Sequence, residues 1–521
     1  MGKLAAALLM ALTLGLVACL AVPGAPKAEG GERMIRGLDD LAVVTSAQAA
    51  RFPEPQEAIE LTLAGEPLPY DADAGAYLIP QSAQTGAFDG AVELRRVEGY
   101  SYYLCMDAPV DKAQALAEGT AFDLYGVSGD RCAHARVIFT PQVVLCLNTD
   151  AGGEPGDEDE GGELLVYTAR DGRIALERTR MRIRLRGNTS RRMPKKSFRL
   201  HLEDERGDKF HLSIAGLRTD DDWILNPMYA DTSKIREKLA YELWEDFNSV
   251  GDSAASSRVE HVEVLLNGRY WGLYGLQERV DNKQVDGDKR ADLLYKVVAN
   301  DRPTVEELLA CEETGRFRAF ELQNGDTSGA QNLWAPAADY IAFLEGGEGP
   351  GVSALSGQNV VDYGLWAMLT QAHDNHFKNQ YLNCVYAGGR YTAYKIPWDV
   401  NHTFGDVWRG EDEQTNFTGY LVGSLVMDGA FEALLGGGDE AVCAAVRARW
   451  AQLRAGVADG DAIVDRAREM HAQIQGALAR DSLRWPQCGM GEGNAMNIRD
   501  IEDFIHTTLM RMDTFVEGLG A

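Results

Sequence analysis

Hydrophobic positions in the first third of the chain alternate with polar ones in the two-residue period of β-strands. The alternation is clearest at residues 59–63, 92–94, 100–104 and 137–139, where the apolar side chains fall on one face. Gly, Pro and Asp separate these runs, and no long helical pattern lies between them. We therefore predict an antiparallel β-sandwich, an accessory domain, over residues 34–160.

A different pattern begins at residue 161. Short apolar runs predict strands at 164–168, 174–176, 181–185, 197–202, 259–266 and 270–277. Apolar residues at helical spacing predict helices at 232–247, 360–369, 440–456, 461–483 and 498–519, the first with Asp231 as its N-cap. The sequence thus predicts an α+β protein in which residues 161–521 form a β-rich lobe, about 161–300, and a helical lobe, about 301–521.

The N-terminus carries an export pattern. Lys3 precedes an apolar or small stretch over residues 4–22, which is typical of a secretory signal. Leu16-Val17-Ala18-Cys19 resembles a bacterial lipobox, in which Cys19 takes the lipid, and a plain signal peptide or a membrane anchor is the alternative. Residues 1–33 would then be leader and tether, and the protein an exported, membrane-anchored lipoprotein on a bacterial cell surface.

Composition and charge exclude several classes of function. The 521 residues include 51 Lys and Arg against 79 Asp and Glu, a formal net charge of −28. Such a field disfavours nucleic acid as a partner and favours basic protein segments. The 45% hydrophobic content excludes a disordered chain. Of the seven cysteines after Cys19, Cys105, Cys132 and Cys146 lie in the β-rich region and could supply one disulfide.

Three segments are polar where a core would be apolar: residues 186–200, 373–379 and 397–405. In the first, strand parity places Lys196 on the face of Phe198, hence inward, where a lysine needs an anionic partner. In the others, Asp374 and Asn379 stand five positions apart and Asp399 follows twenty residues later. One Asp that orients a hydroxyl, with Asn and Asp that hold a metal, is the spacing of kinase machinery.

These motifs resemble the spore-coat CotH kinases, atypical relatives of protein kinases. The matching stretches are RGNTSRRMPKKSFRLHL (186–202), DDWILNPMYADTSKIREKLAYELW (221–244), VEVLLNGRYWGLYGLQERVD (262–281), DNHFKNQYL (374–382) and PWDVNHTFG (397–405). The resemblance spans roughly residues 180–410. It implies an atypical kinase fold that binds ATP with Mg²⁺ or Mn²⁺ and phosphorylates Ser or Thr of a protein substrate.

The resemblance also implies a role for each matching residue. Asp374 would orient or deprotonate the acceptor hydroxyl, and Asn379 and Asp399 would ligate the metal. Lys196 would contact the nucleotide phosphates beside Arg186, Asn188 and Ser190, and Glu237 would pair with Lys196. Glu278 would lie in the adenine hinge, Gln277-Glu278-Arg279. Asn401 departs from the family pattern, because a second Asp is frequent there.

Two other classes of function fit parts of the sequence. His373, His376 and His402 cluster around the two aspartates, as in a metal-dependent envelope hydrolase. A kinase-like fold can also serve as a non-catalytic surface scaffold or adhesin. The combination of Lys196, Asp374, Asn379 and Asp399 favours an exported Ser/Thr kinase acting on envelope or coat proteins.

Overall fold

The computed structural model describes residues 37–84, 88–187, 189–326, 332–406, 425–486 and 498–520. The predicted leader and lipobox at residues 1–33 and the predicted phosphate-loop residue Asn188 lie outside these ranges. None of the helices within them is both long and apolar enough to cross a membrane.

An N-terminal region of short strands comes first. Its strands are β1 Ala42–Val44, β2 Glu57–Ala58, β3 Leu61–Leu63, β4 Glu66–Pro67, β5 Tyr70–Asp71, β6 Ala76–Pro80, β7 Glu93–Leu94, β8 Ser101–Cys105, β9 Ala121–Ser128 and β10 Arg131–Thr140, with helices α1 Ser46–Ala49 and α2 Lys112–Glu118. One sheet has the order β1-β8-β9-β10-β6-β5, with β2 also on β10, and a second has the order β4-β3-β7. Both sheets contribute to one apolar core.

The predicted antiparallel arrangement is only partly correct for the larger sheet, which is mixed: β8 with β9, β9 with β10 and β5 with β6 are antiparallel. Strand β1 pairs with β8 in parallel, and β10 pairs in parallel with both β2 and β6. Alternating polarity shows which face of a strand is buried, but it carries no information about the direction of the neighbouring strand. The sequence pattern therefore predicted the strands without their pairing.

A closed barrel of seven strands follows. The elements of this part of the chain, barrel strands and others, are β11 Val143–Thr149, β12 Glu160–Arg170, β13 Arg173–Leu185, β14 Phe198–Glu203, β15 Leu212–Ser213, β16 Thr219–Asp220, β17 Asp222–Asn226, helix α3 Arg236–Phe247, β18 Val259–Leu266 and β19 Arg269–Glu278. The barrel order is β11-β12-β13-β14-β17-β19-β18, closed by the parallel pair of β11 and β18, while β15 and β16 form a separate two-stranded sheet. The barrel thus begins at Val143, before the predicted boundary at residue 161.

The remaining chain combines a six-stranded sheet with helices. Its elements are β20 Leu293–Val297, helix α4 Val305–Leu309, β21 Arg316–Phe317, β22 Phe320–Asn324, α5 Ala335–Glu345, β23 Ser353–Leu355, α6 Gly357–Thr370, β24 Gln380–Ala387, β25 Arg390–Pro397, α7 Gly429–Gly436, α8 Glu440–Arg454, α9 Gly460–Arg484 and α10 Ile498–Glu517. The sheet order is β21-β22-β20-β24-β25-β23. One large apolar core joins this sheet, the helices and α3. The whole is an α+β protein, as predicted.

Helix α3 starts four residues later than predicted. Asp231 is not its N-cap, because residues 232–235 form an intervening turn in which Lys234 takes a φ of +60°. Asp231 still serves the helix end, since its Oδ2 accepts a hydrogen bond from the backbone N–H of Arg236 at 3.0 Å. The turn lets the carboxylate reach the helix from outside the usual cap position.

The predicted disulfide is absent from the residues that the structure describes. Cys105, Cys132 and Cys146 are all free thiols, as are the other described cysteines, Cys311, Cys384 and Cys443. Burial raises the pKa of the Cys146 thiol to about 12. Cys146 therefore behaves as a small apolar side chain of the core between the barrel and the N-terminal sheet.

Candidate active site

A cleft of about 310 Å³ opens between the barrel and the six-stranded sheet with its helices. Many of its lining residues are polar: Arg186, Gly187, Ser190, Ser197, Asn226, Asp231, Glu237, Asp374, Lys378, Asn379, Asp399, Asn401 and His402. The three segments that the sequence analysis singled out therefore meet in one place. They do so because α6 and the hairpin β24–β25 end at the same side of the cleft.

Asp374 and Asn379 lie on the loop between α6 and β24. The Nδ2 of Asn379 donates to the Oδ2 of Asp374 at 2.8 Å, and the Lys378 ammonium lies 2.8 Å from the same oxygen. Asn379 has a φ of +56°, and its backbone N–H donates to the carbonyl of Val297 at 2.8 Å. Because its amide nitrogen is used on Asp374, its amide oxygen is the atom left to face a cation.

Asp399 lies two residues beyond the end of β25 and also has positive φ, +55°. Its backbone N–H donates to the hydroxyl of Tyr241, a buried residue of α3, at 3.1 Å. This bond fixes the loop to the helix while the carboxylate stays exposed in the cleft. The structure therefore brings Asp374, Asn379 and Asp399 together, although a strand hairpin separates them in the sequence.

Glu237 lies in the first turn of α3 and is 3% exposed. Asn226 donates to its carboxylate, and both residues line the cleft. Burial raises the pKa of Glu237 to about 8; the charge of Asp399 acts in the same direction, and Arg186 opposes it. Glu237 thus lies near Asp399 with Arg186 only partly offsetting the two carboxyl groups, which is an environment that a divalent ion would relieve.

Part of the predicted phosphate loop lines the cleft. Arg186 follows β13, and its backbone N–H donates to the carbonyl of Ser197 at 3.0 Å. Gly187 has a φ of +95°, and a Cβ there would collide with the hydroxyl of Ser190, so the tight turn needs glycine. Arg186 and Ser190 both line the cleft.

The inward orientation predicted for Lys196 is wrong. Strand β14 begins only at Phe198, so the alternation that buries Phe198 does not extend back to Lys196. Lys195 is the wholly buried lysine, while Lys196 is partly exposed and its ammonium donates to the carbonyl of Arg191 at 2.7 Å. Lys196 neither lines the cleft nor pairs with Glu237, and the predicted ion pair between them is not formed.

Glu278 also lies away from the cleft lining. Its carboxylate accepts from the backbone N–H of Arg218 at 2.8 Å and from Gln284 at 3.1 Å, and its side chain is buried. The neighbouring Gln277 donates to Tyr241 at 3.2 Å. The side chains of Gln277 and Glu278 are therefore used inside the protein, and the backbone of Glu278 is engaged there as well, since its N–H donates to the carbonyl of Arg258 at 3.0 Å and its carbonyl accepts from Ser257 at 2.7 Å.

The three histidines proposed for a hydrolase do not converge on a metal site. His376 bonds the carbonyl of Met427, and only His402 of the three lines the cleft. Among the described residues, the His, Asp and Glu side chains close enough to share an ion are His211, Asp220 and Asp221. That cluster is neutralised by ion pairs of 2.6–3.1 Å to Lys209, Lys283 and Arg218.

The sequence analysis missed a residue that holds the site together. Asn375 is buried and donates from one amide nitrogen to two carbonyls, that of Asn379 at 2.6 Å and that of Trp398 at 2.8 Å. It therefore clamps the loop of Asp374 to the loop of Asp399. The signal was present as a second polar residue beside Asp374, but its partners are set by the tertiary fold.

Comparison with known families agrees with this geometry. Residues 183–343 and 353–512 match the CotH kinase protein family, and together these segments make up more than half of the chain. The protein belongs to this family, which confirms the resemblance of its motifs. The matched segments contain Asp374, Asn379 and Asp399, whereas the N-terminal sheets lie outside them. A comparison with curated proteins finds no match.

Proposed function

We propose that the protein is a kinase that transfers the γ-phosphate of ATP to Ser or Thr hydroxyls of envelope or coat proteins. The observation that carries the proposal is the convergence of Asp374, Asn379 and Asp399 in one cleft that Arg186 also lines. In this proposal the barrel and the helical part are the two lobes of a kinase-like fold, and the nucleotide lies between them.

The donor set of the cleft suits Mg²⁺ or Mn²⁺. Asp399 offers a carboxylate and Asn379 an amide oxygen, both hard oxygen ligands, and Glu237 adds a second carboxyl beside Asp399. A bound divalent cation would supply charge neutralisation for the phosphate oxygens. The protein's own part is to present these oxygens on loops that Tyr241 and Asn375 hold in place.

Asp374 is the residue proposed to act on the acceptor. Its carboxylate would accept the proton of a Ser or Thr hydroxyl while that oxygen bonds to the γ-phosphorus and the bond to the bridging oxygen breaks, releasing ADP. Lys378 and Asn379 both bond its Oδ2, which leaves Oδ1 for the substrate hydroxyl. The acidic chain favours acceptors in basic segments, by electrostatic steering.

The test is phosphate transfer by the full chain with Mg²⁺ or Mn²⁺, scored by mass spectrometry on the protein itself and on a basic Ser-rich protein. Asp374→Ala should abolish the label, whereas Asp465→Ala, which removes an exposed carboxylate of α9, should not. Absence of transfer despite tight Mg-ATP binding would leave the acceptor as the missing part. Absence of any nucleotide binding would overturn the kinase proposal in favour of a scaffold or adhesin.

Export as a lipoprotein is a further part of the proposal and is supported by the sequence of residues 4–22 with Cys19. A lipid on Cys19 would place the protein at a membrane without a spanning helix. Labelling with a fatty-acid analogue in a bacterial host should mark the wild-type chain and not Cys19→Ser. Equal labelling of both would refute the assignment of Cys19.

A further inference from the structure

Lys296 is a lysine beside the cleft that the sequence analysis did not single out. It lies on β20 between β22 and β24, opposite Glu321 on one neighbour and Tyr381 on the other. Its ammonium is 4.9 Å from the centre of the Trp398 ring and 5.8 Å from that of Tyr381. Trp398 immediately precedes Asp399, so the ring places this ammonium next to the proposed metal-binding residue.

The charge of Lys296 lacks a conventional partner. Within the described ranges its ammonium forms neither a hydrogen bond nor an ion pair, and its polar contacts are the two aromatic faces. Burial lowers the pKa of Lys296 to about 8; Arg186 and Arg279 act in the same direction, and Asp399 and Glu321 oppose them. Such a lysine is costly to keep unless a ligand uses its charge.

Arg186 is in the same situation. Its guanidinium lines the cleft and forms no ion pair or hydrogen bond with any residue that the structure describes. The two cations are close enough for Arg186 to depress the pKa of Lys296. The Asp399 carboxylate, which lines the same cleft, is likewise outside any ion pair with a described residue.

The cations Lys296 and Arg186 lie near the carboxylate of Asp399, yet none of the three forms an ion pair with a described residue. The fold instead keeps them apart: the aromatic rings hold Lys296, and the backbone bond to Tyr241 fixes Asp399. A ligand that carries anionic groups together with a divalent cation would satisfy both sets at once. Metal-bound polyphosphate has this chemistry.

We propose that Lys296, together with Arg186, binds the phosphate groups of the nucleotide, the role that the sequence had assigned to Lys196. The inference rests on the proposed function and deepens it by naming the lysine of the phosphate site. The rings of Tyr381 and Trp398 contact its ammonium, which lies near Asp399 and Arg186, where it would meet the phosphates of a nucleotide bound in the cleft.

Titration calorimetry on the full chain tests this, with three probes: Mg-ATP, adenosine and inorganic tripolyphosphate. Lys296→Met keeps an unbranched apolar side chain and removes the charge, whereas Lys296→Arg keeps a charge. The control is Lys209→Met, an exposed lysine outside the cleft lining. We expect Lys296→Met to weaken Mg-ATP and tripolyphosphate at least tenfold, adenosine less than twofold, and Lys296→Arg and the control to stay within threefold of wild type.

The outcomes separate the inference from the proposed function. Equal Mg-ATP affinity in wild type and Lys296→Met overturns the inference and leaves the kinase proposal intact. If the wild-type chain binds tripolyphosphate but not ATP, and Lys296→Met weakens the binding of tripolyphosphate, the anion site is upheld and the kinase proposal is refuted. A wild-type chain that binds neither overturns both. If Lys296→Met melts well below wild type, Lys296→Gln replaces it. The ratio of its Mg-ATP affinity to its adenosine affinity then decides whether Lys296 binds the phosphates.

Discussion

Asp481 on α9 and Lys195 at the entrance to β14 form an ion pair of 2.7 Å between Oδ1 and Nζ, with side chains 1% and 0% exposed. The pair joins segments 286 residues apart. Asp481 also accepts from the backbone N–H of Leu273 at 2.9 Å and lies 3.8 Å from the Lys234 ammonium. Helix α9 thus reaches into the barrel and holds the two chain segments that lead to Ser197 and Glu237 in the cleft.

The Asp481 carboxylate packs against the barrel at a glycine of β19. Gly272 of β19 has a φ of +130°, and a Cβ at that position would collide with the Asp481 oxygen. One residue earlier, Arg480 forms a two-bond ion pair of 2.7 and 3.0 Å with buried Glu263 of β18. Helix α9 is therefore an integral part of the barrel's surface, although it lies far beyond it in the chain.

Removing Asp481 should destabilise the whole protein. Asp481→Ala leaves the buried charge of Lys195 without its carboxylate, and we expect the free energy of unfolding to fall by about 3–5 kcal/mol. Denaturant titration of the full chain measures this, with Asp465→Ala on the exposed face of α9 as the matched control. The double variant Asp481→Ala, Lys195→Met should recover part of the loss; a double variant less stable than Asp481→Ala would contradict the account.

Asp399 should be needed for metal-dependent nucleotide binding rather than for nucleotide binding as such. We expect Asp399→Asn to weaken Mg-ATP at least tenfold while affinity for ATP in the presence of a chelator stays unchanged, because the lost charge faces the cation. Calorimetry with and without Mg²⁺ measures both. Asp374→Asn serves as the comparison, since it should retain Mg-ATP affinity and lose transfer by about 10²–10⁴-fold. Undiminished Mg-ATP affinity in Asp399→Asn would remove its assigned role.

Asn375 should matter for activity although it touches no substrate. Asn375→Ala removes the side-chain donor from the carbonyls of Asn379 and Trp398, of which the first keeps the backbone N–H of Trp398 at 3.0 Å, and should cost roughly 1–3 kcal/mol of stability. Because the two loops would then be held together less firmly, transfer should fall at temperatures where the variant remains folded. Asn300→Ala, an exposed loop residue, provides the control and should stay within about 0.5 kcal/mol. A variant with wild-type turnover would show that the clamp is only structural.

The stability of the protein should depend on pH through His261. Its ring nitrogen bonds the carbonyl of Lys234 at 2.7 Å, and burial lowers its pKa from 6.5 to about 4. The neutral ring stabilises the fold fully above pH 6.5, and this contribution is lost as the pH falls toward 4, because the unfolded chain takes up the proton first. The expected loss is about 3 kcal/mol.

Chemical denaturation of wild type and His261→Gln between pH 7 and 4.5 measures this contribution. The stability of the Gln variant should fall less steeply with acidity, and the two curves should converge at low pH. His506→Gln, a half-exposed histidine of α10, should follow the wild-type curve. Parallel curves for wild type and His261→Gln would show that other groups control the acid response.

Much of the candidate site was predictable because its spacing is local. Asp374 and Asn379 precede β24, and Asp399 follows β25. Because the two strands form one hairpin, its first and last residues lie side by side, and these three residues are brought close in space. The strands were also largely predictable: the strand predicted at 259–266 is β18, and those at 174–176 and 181–185 are parts of the long strand β13. Periodicity reports which side chains face the core, and that information is carried within a few residues.

The tertiary structure alone decided the rest. Which of Lys195 and Lys196 turns inward depends on where β14 begins and on Asp481, 286 residues away. The same holds for Lys296, whose aromatic neighbours are Tyr381 of β24 and Trp398, the residue after β25. The sequence by itself determined the family, the strands and the acidic residues of the cleft. The choice of the lysines was left to contacts between distant segments, because a buried charge is fixed by its partners in space and not by its neighbours in the chain.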